Sequence, residues 1–396
     1  MAWHLSATEK YSKYREEKDL SFYKITSYRI ERYEEIKNEW EELERKTECS
    51  YFQSWGWIGT WLEQIAVDLN PVLIKVWKEK DLIGLGVFIR GRLHRHKIIN
   101  SNALFLNEFP YDGRNMVIEY NGILINERIK QPIYQKTISL FFKEDPELDE
   151  IYLGAIADQE LTWSLDEMRN PGAGWNIKEN FTSISRSIDL TAFESGIDGF
   201  LSSLSKNRRN QIKKSIRLYE QQGPLQLSVA EDLKEAEEYF NGLKELHTIR
   251  WNRDGKTGSF SNCNWEKFHR ALIVNRFCRG EIQLLKVCCG QVVIGYLYNF
   301  IWRNHVYVLQ TGFKLSEDKR LMPGYVVHLL AIVFNQSRSM IVYDLMHGDA
   351  VYKKILCNQE TILRWYVAQR KCLKFRLENS AVASIRYLKN LETKLY

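Results

Sequence analysis

The chain has 396 residues, 44% of them hydrophobic and 13% aromatic, which is enough apolar side chain for real cores and too much length for one small domain. A formal charge of +6 favours anionic ligands without marking a nucleic-acid-binding protein. Residues 1–20 are polar and charged, so they do not read as a signal peptide, and no run of 18 uncharged apolar residues offers a membrane span.

Seven prolines in the whole chain argue against long linkers. The seven cysteines are odd in number and lack metal-ligand spacing, so they read as reduced thiols of a cytoplasmic protein.

In chain order, residues 72–77 and 82–84 read as a hairpin around a turn at 78–81. His94 and His96 alternate with Arg92 and Arg95 on a strand-like segment, and with no third ligand nearby they make no metal site. Residues 116–125 read as a strand, 131–142 as a helix and 150–156 as a strand. Residues 205–219 read as an amphipathic helix, with Ile212, Ile216 and Tyr219 as its apolar stripe and a run of Lys and Arg on its other face. Gly223-Pro224 stops it. Its basic face is either an anion site or solvated surface. A second helix, 233–247, leads into His247, Arg250 and Trp251 and a loop holding Gly255 and Gly258.

A second hairpin follows at 283–288 and 293–295, then a strand at 305–312, a helix at 323–337 opened by Pro323-Gly324, a strand at 340–345, a helix at 350–356 and a strand at 361–368. Shifted by 211 positions, the two hairpins align without gaps, with Leu73/Leu284, Lys75/Lys286, Val76/Val287, Ile83/Ile294 and Gly84/Gly295 identical. Similar elements follow each copy. The expectation is two similar α/β domains, 1–186 and 187–396, each with a mixed, mainly antiparallel sheet flanked by helices.

The segment 343–354 carries the densest chemistry. An apolar run enters a turn holding Asp344, His347, Gly348 and Asp349, and then a helix start holding Tyr352 and Lys353. Sheet ends of this kind are where α/β folds bind ligands.

These pieces, in this order, resemble the GNAT-like acyltransferases associated with cellulose biosynthesis (CelD-like), relatives of the Fem peptidyltransferases. The resemblance spans about residues 187–357. It is carried by Asp189-Leu190, by Lys206-Asn207-Arg208-Arg209 with Ile212-Lys213-Lys214, and by Leu246-His247 with Arg250-Trp251. Gly255, Gly258 and Phe260, Gly312-Phe313, Pro323-Gly324, and Asp344, Gly348 and Tyr352-Lys353 complete it. The first half matches more weakly, through Trp40, Leu43, Phe52-Gln53-Ser54, Trp57 and Trp61. One departure stands out. The family's basic-x-x-Gly-x-Gly/Ala pyrophosphate loop is replaced by Lys319-Arg320-Leu321-Met322-Pro323-Gly324.

The resemblance implies twin GNAT-like (acyl-CoA N-acyltransferase) domains, in agreement with the repeat. It implies transfer of an acyl group from acetyl-CoA or another acyl-CoA, without a metal, to an amine on an amino sugar or other small metabolite. The donor would enter where strands 305–312 and 340–345 splay, with Lys319, Arg320, Gly324 and Lys353 around its phosphates. Tyr352 would protonate the leaving thiolate or merely pack its helix against the sheet. Asp344 would handle the amine proton or merely cap the turn. His247 is a second candidate base, His347 a third, and Arg250, Trp251 and Gln310 would contact the acceptor in a cleft between the domains. Two other readings stay open. One is a Fem-like transferase using aminoacyl-tRNA, with the basic helix on RNA phosphates. The other is a catalytically inactive GNAT pair serving as a binding module. The oligomeric state stays open as well.

Overall fold

A computed structural model describes residues 22–380 except 67, 97, 98, 117, 129, 170 and 171; the reading of residues 1–20 lies outside the described residues. The first half runs β1 (Tyr23–Arg29), α1 (Glu34–Lys46), α2 (Trp55–Gln64), β2 (Val72–Lys78), β3 (Asp81–Arg95), β4 (Ile99–Leu106), β5 (Leu124–Ile125), α3 (Gln131–Glu144), β6 (Glu150–Ala157), α4 (Leu165–Arg169) and β7 (Trp175–Asp189). The second runs α5 (Ile197–Ser203), α6 (Lys206–Glu220), β8 (Leu225–Val229), α7 (Leu233–Arg253), α8 (Cys263–Arg276), β9 (Ile282–Cys289), β10 (Val292–Trp302), β11 (His305–Phe313), α9 (Pro323–Ser337), β12 (Val342–His347), α10 (Val351–Leu356) and β13 (Gln359–Arg370).

The two hairpins that match in sequence also match in register. Val76 faces Gly84 and Trp77 faces Leu82, with a bulge at Ile83; Val287 faces Gly295 and Cys288 faces Val293, with a bulge at Ile294. Both strand pairs keep this correspondence from the turn to Leu73/Val87 and Leu284/Tyr298. A one-residue slip would turn every side chain to the other face, so a shared bulge marks a shared register.

Strand alternation places apolar side chains on both faces of the sheet. Leu85, Val87 and Ile89 pack toward α1 and α2, while Ile74, Val76 and Phe88 pack toward α3. In the second half Leu284, Tyr298 and Phe300 face α7 and α8, while Leu285, Val287 and Leu297 face α9. The layer beneath α1, α2, α7 and α8 is one continuous core, in which Trp40, Trp57 and Trp61 of the first half join Phe240, Trp265 and Phe268 of the second. Truncating any of these rings to Ala would cost about 3–5 kcal/mol. Hence the halves are held as one body by aromatic packing.

The expectation of one sheet per half is corrected. A single 13-stranded sheet runs β1-β2-β3-β4-β6-β13-β7-β12-β11-β10-β9-β8, with β5 beside β3. The last strands are exchanged: β13 pairs with β6, and β7 pairs with β12, so the sheets fuse through the β7–β13 pair. The boundary expected between 186 and 187 falls inside β7.

Other expectations shift too. Helix 233–247 continues to Arg253, because Asp232 caps its start and Gly255 comes only after a further turn. Strand 340–345 is found at Val342–His347. Strand 116–125 shrinks to Leu124–Ile125, because the chain leaves β4 after Leu106 and the buried amides of Asn107 and Asn121 hold its return up to Gly122 outside any continuous strand.

Candidate functional site

β11 and β12 run parallel and pair only at His305/Val342, Val306/Tyr343 and Tyr307/Asp344; beyond these residues they part. Along its other edge β11 bulges against β10, leaving Leu309 between Val308/Asn299 and Gln310/Tyr298 without a partner. A fork with free backbone amides beside a bulge can receive a polar chain and bond its carbonyl groups.

At the far end of β11, a pocket of about 340 Å³ is lined by Phe313, Lys314, Pro323, Gly324, Tyr352, Arg250 and Arg253 among others. Pro323 opens α9, so the helix points its positive end into this pocket. A Cβ on Gly324 would lie 3.3 Å from the Phe313 ring. Arg250 and Arg253 reach the pocket because α7 is longer than expected and carries both at i, i+3.

The cations expected here, Lys319 and Arg320, are exposed and do not line the pocket, and Arg320 is tied to Asp318 at 2.7 Å. Arg250, Arg253 and Lys314 take that place. α6 packs on the start of α9: Ser215 Oγ accepts the Met322 N–H at 2.9 Å, and Arg208 lies 5.0 Å from the Tyr325 ring centre.

Tyr352 lines the same pocket and stacks on His328 of α9, with ring centres 5.1 Å apart. Burial pushes its pKa up to about 12, opposed by Arg250. At neutral pH the phenol therefore holds its proton and can donate it.

Asp344 does not share that pocket. The preceding Tyr343 faces α9, where its hydroxyl meets His328 Nδ1 at 3.0 Å, and alternation turns Asp344 to the opposite face. There its buried carboxylate accepts from Ser185 Oγ at 3.3 Å, the Met346 N–H at 2.7 Å and the Tyr120 hydroxyl, and it meets His305 Nε2 at 3.3 Å. Asp344 and Tyr352, read as one strand–turn–helix constellation, thus sit on two faces of the sheet.

His347 bonds Glu119 twice, through its ring Nδ1 at 2.7 Å and its backbone N–H at 2.7 Å. The Glu119 hydrogen bond raises its pKa, against burial and Lys353. Lys353 donates to the carbonyls of Met346 at 3.2 Å and His347 at 2.6 Å, and burial lowers its pKa. Its ammonium braces the turn and is not among the groups lining the pocket at α9.

His247 is 3% exposed and packs with Trp251 and Phe260 at 5.6 and 5.2 Å between ring centres. Burial, helped by Arg250, lowers its pKa to about 4. An imidazole this acidic is a weak base at neutral pH. Gln310 stands beside the bulge, its side-chain amide donating to Ser259 Oγ at 3.1 Å.

A larger cleft of about 1080 Å³ opens between the halves, with Gln53, Tyr120, Lys130 and Glu160 from the first and Arg303, His305 and Tyr307 from the second among its walls. The His305 and Tyr307 rings stack at 3.9 Å with 2° between planes. His305 was missed in the sequence, where its only signal is a histidine opening an apolar strand; the partner that gives it meaning comes from the parallel β11–β12 register.

The fold is a pair of GNAT-like units sharing a mixed sheet flanked by helices. Residues 206–354, which contain the fork, α9 and Tyr352, match the family model described as acetyltransferase (GNAT) domain. Over 85% of this chain and 96% of the other, the structure superposes on FemX with a TM-score of 0.54 at 11% identity, a likeness in fold alone. More distant matches include a tandem GNAT protein from the clavulanic acid biosynthesis pathway, at TM-score 0.46 and 10% identity over 88% of this chain and 98% of that one. The structure of L-PGS from Bacillus licheniformis matches at TM-score 0.46 and 9% identity over 83% and 95% of the two chains. No curated protein matches the chain. Among the described residues no helix is long and apolar enough to cross a membrane.

Proposed function

We propose that the protein is an N-acyltransferase that moves an acyl group from acyl-CoA, held in the second half, to an amine presented from the cleft between the halves. The observation that carries this reading is the open β11–β12 fork leading to a pocket at the start of α9 ringed by Arg250, Arg253 and Lys314. A helix N-terminus with three cations suits a diphosphate, and a fork suits the amide-bearing arm that follows it. The second unit, taken from residue 187, holds the donor. Placement with the cellulose-biosynthesis-associated branch rests on the sequence motifs and placement in the cytoplasm on the reading of the cysteines as reduced thiols; both belong to the same proposal.

The thioester brings an activated carbonyl, and the rest falls to side chains of this chain. The amine nitrogen attacks the carbonyl carbon and the carbon–sulfur bond breaks. Tyr352, protonated at neutral pH, gives its proton to the departing thiolate. His305, lining the cleft and backed by Asp344, takes the proton from the amine. The cleft's charged and aromatic walls suit a small polar amine such as an amino sugar.

The test is thiol release from acetyl-CoA with a panel of small amines, beside calorimetric binding of acetyl-CoA alone. Release with at least one amine class supports the reading; absence of both binding and release overturns it.

A Fem-like use of aminoacyl-tRNA is the second reading. The observation favouring it is the exposed basic face of α6, with Lys206, Lys214 and Arg217 in solvent beside the start of α9. It requires tRNA binding that weakens steeply with salt, and charge reversal at these positions would abolish it.

A further inference from the structure

The halves part company at one point in the repeat. On β10, Asn299 faces Val308 and Tyr296 faces Gly312, so three residues (309–311) of β11 cross the bulge. On β3 the matching residues, Phe88 and Leu85, face Leu106 and Leu124, with seventeen residues (107–123) between. β4 and β5 are therefore one strand of the repeat, interrupted at the bulge by an excursion of the chain.

The returning end of that excursion closes the first half's fork. β4 and β6 pair at Ala103/Glu150, Leu104/Ile151 and Phe105/Tyr152, as β11 and β12 pair over three residues in the second half. Past this point Asn121 fills the gap. Its backbone N–H bonds the Ala155 carbonyl at 3.0 Å, it bridges Ile156 in parallel, and its side-chain amide bonds the Leu106 carbonyl at 2.9 Å. The Asn107 amide then donates to Asn121 Oδ1 at 3.0 Å and to the Gly122 carbonyl at 2.9 Å. Asn107 and Asn121 are each 1% exposed. The bonds that an inserted ligand would make to strand edges are made here by the chain itself.

The same excursion crosses to the second half. Tyr120, next to Asn121, donates to Asp344, and Glu119 holds His347 by ring and backbone. Two consecutive residues of the plug thereby reach two residues of β12.

We propose that the chain carries one acyl-donor site, in the second half, and that the first half is a positioning half whose plug sets the orientation of Asp344 and His347 through Tyr120 and Glu119. This rests on the acyltransferase reading above. Tyr120 and His305 meet the same Asp344 oxygen, Oδ2, so Tyr120 fixes the carboxylate that His305 leans on. The other groups facing Asp344 are Ser185 from β7, the Met346 N–H, the Tyr307 phenol of β11 and the Lys353 charge from α10; those facing His347 are Glu119, Lys353 and the Trp365 ring of β13. A carboxylate 2.7 Å from an imidazole favours the charged ring.

Calorimetric titration of the full chain with acetyl-CoA should give one equivalent. Two equivalents would overturn this inference alone, whereas no binding would overturn the acyl-donor reading and this inference with it. In Glu119→Gln the His347 ring, followed by NMR, should titrate at lower pH than in the parent chain, because the hydrogen bond to the carboxylate is what raises it; an unmoved titration overturns the positioning role. Tyr120→Phe keeps the ring and its packing, so it serves if Glu119→Gln does not fold. It should leave acetyl-CoA affinity intact, lower kcat roughly 10-fold and shift the pH–rate profile. An unchanged kcat and profile count against the proposal.

Discussion

The hydroxyl of Tyr120 donates to the carboxylate of Asp344, 224 residues further along the chain. One residue belongs to an excursion that fills the first half's fork and the other to the strand that borders the open fork of the second. The site is therefore composite. The proposed donor pocket and its acid, Tyr352, come from α7, α9 and α10, the proposed base pair His305 and Asp344 from β11 and β12, and the setting of Asp344 from the other half.

Tyr352→Phe removes only a hydroxyl from a ring that stacks on His328. Fold and acetyl-CoA affinity should stay as they are, while acyl transfer slows by about 10²–10⁴-fold, the usual worth of general acid help. Single-turnover kinetics and calorimetry separate the two effects. Full turnover in the variant, with chemistry rate-limiting, would reduce Tyr352 to packing.

Much of this could be read from the residues, and the exceptions have physical causes. The hairpins at 72–84 and 283–295 were legible because period-2 apolar runs and turn residues are local signals, and so was α9, with Pro323 at its first position. β7 escaped notice because its middle, Glu179 to Thr182, is exposed and lacks an apolar run. Residues 116–125 contain apolar positions that suit a strand, but the Asn107–Asn121 bonds that pull the chain out of the sheet depend on tertiary neighbours. Gly324 and Tyr352, expected from the sequence to serve one site, do line one pocket, the proposed donor pocket. Its cations were sought nearby in sequence, at Lys319 and Arg320, whereas the fold brings Arg250 and Arg253 from α7. The His305–Asp344 contact needs a parallel register, which neither strand specifies alone.

Donor affinity should depend on Gly324 and Arg250 in different ways. Gly324→Leu places a side chain against Phe313 inside the pocket, so acetyl-CoA should bind more weakly without loss of the thermal transition. Arg250→Gln removes one charge-assisted contact and should weaken binding by about 10-fold, with a shallower dependence on salt. Calorimetry at two ionic strengths checks both. Unchanged affinity in the pair would move the donor elsewhere.

His247 should matter to stability at low pH and little to turnover. Its pKa is about 4 in the fold, held down by burial and Arg250, against about 6.5 in the unfolded chain. Between these values the unfolded chain binds more protons. Stability therefore falls as pH drops below ~6.5, by up to ~1.4 kcal/mol per pH unit from this residue, and levels off below the folded value. Above pH 7 the residue contributes nothing to the slope. His247→Leu should flatten the decline in urea midpoint between pH 7 and pH 5 and keep neutral-pH turnover. A steep turnover loss at neutral pH with an intact fold would restore His247 as the base.

The exchanged strands predict that the halves depend on each other. In the sheet order β6-β13-β7-β12, each half's last strand lies between two strands of the other half. A piece ending at residue 190 would hold β6 and β7 with the strand between them missing; a piece starting at 191 would hold β12 and β13 with the same kind of gap. β7 pairs with β13 over twelve positions, from Ser187/Gln359 to Trp175/Arg370, so each gap exposes a long unpaired edge. The Trp40, Trp57 and Trp61 layer would also lose its cover from α7 and α8. Each piece alone should aggregate or melt without cooperativity, and co-expression should restore a soluble pair that melts like the intact chain. Circular dichroism melting and size-exclusion chromatography decide it. The alternative is that β7 swings into the place of β13 in a free first piece, as swapped elements do when a hinge allows. A cooperative melt of that piece by itself would establish two autonomous units joined by a reversible exchange.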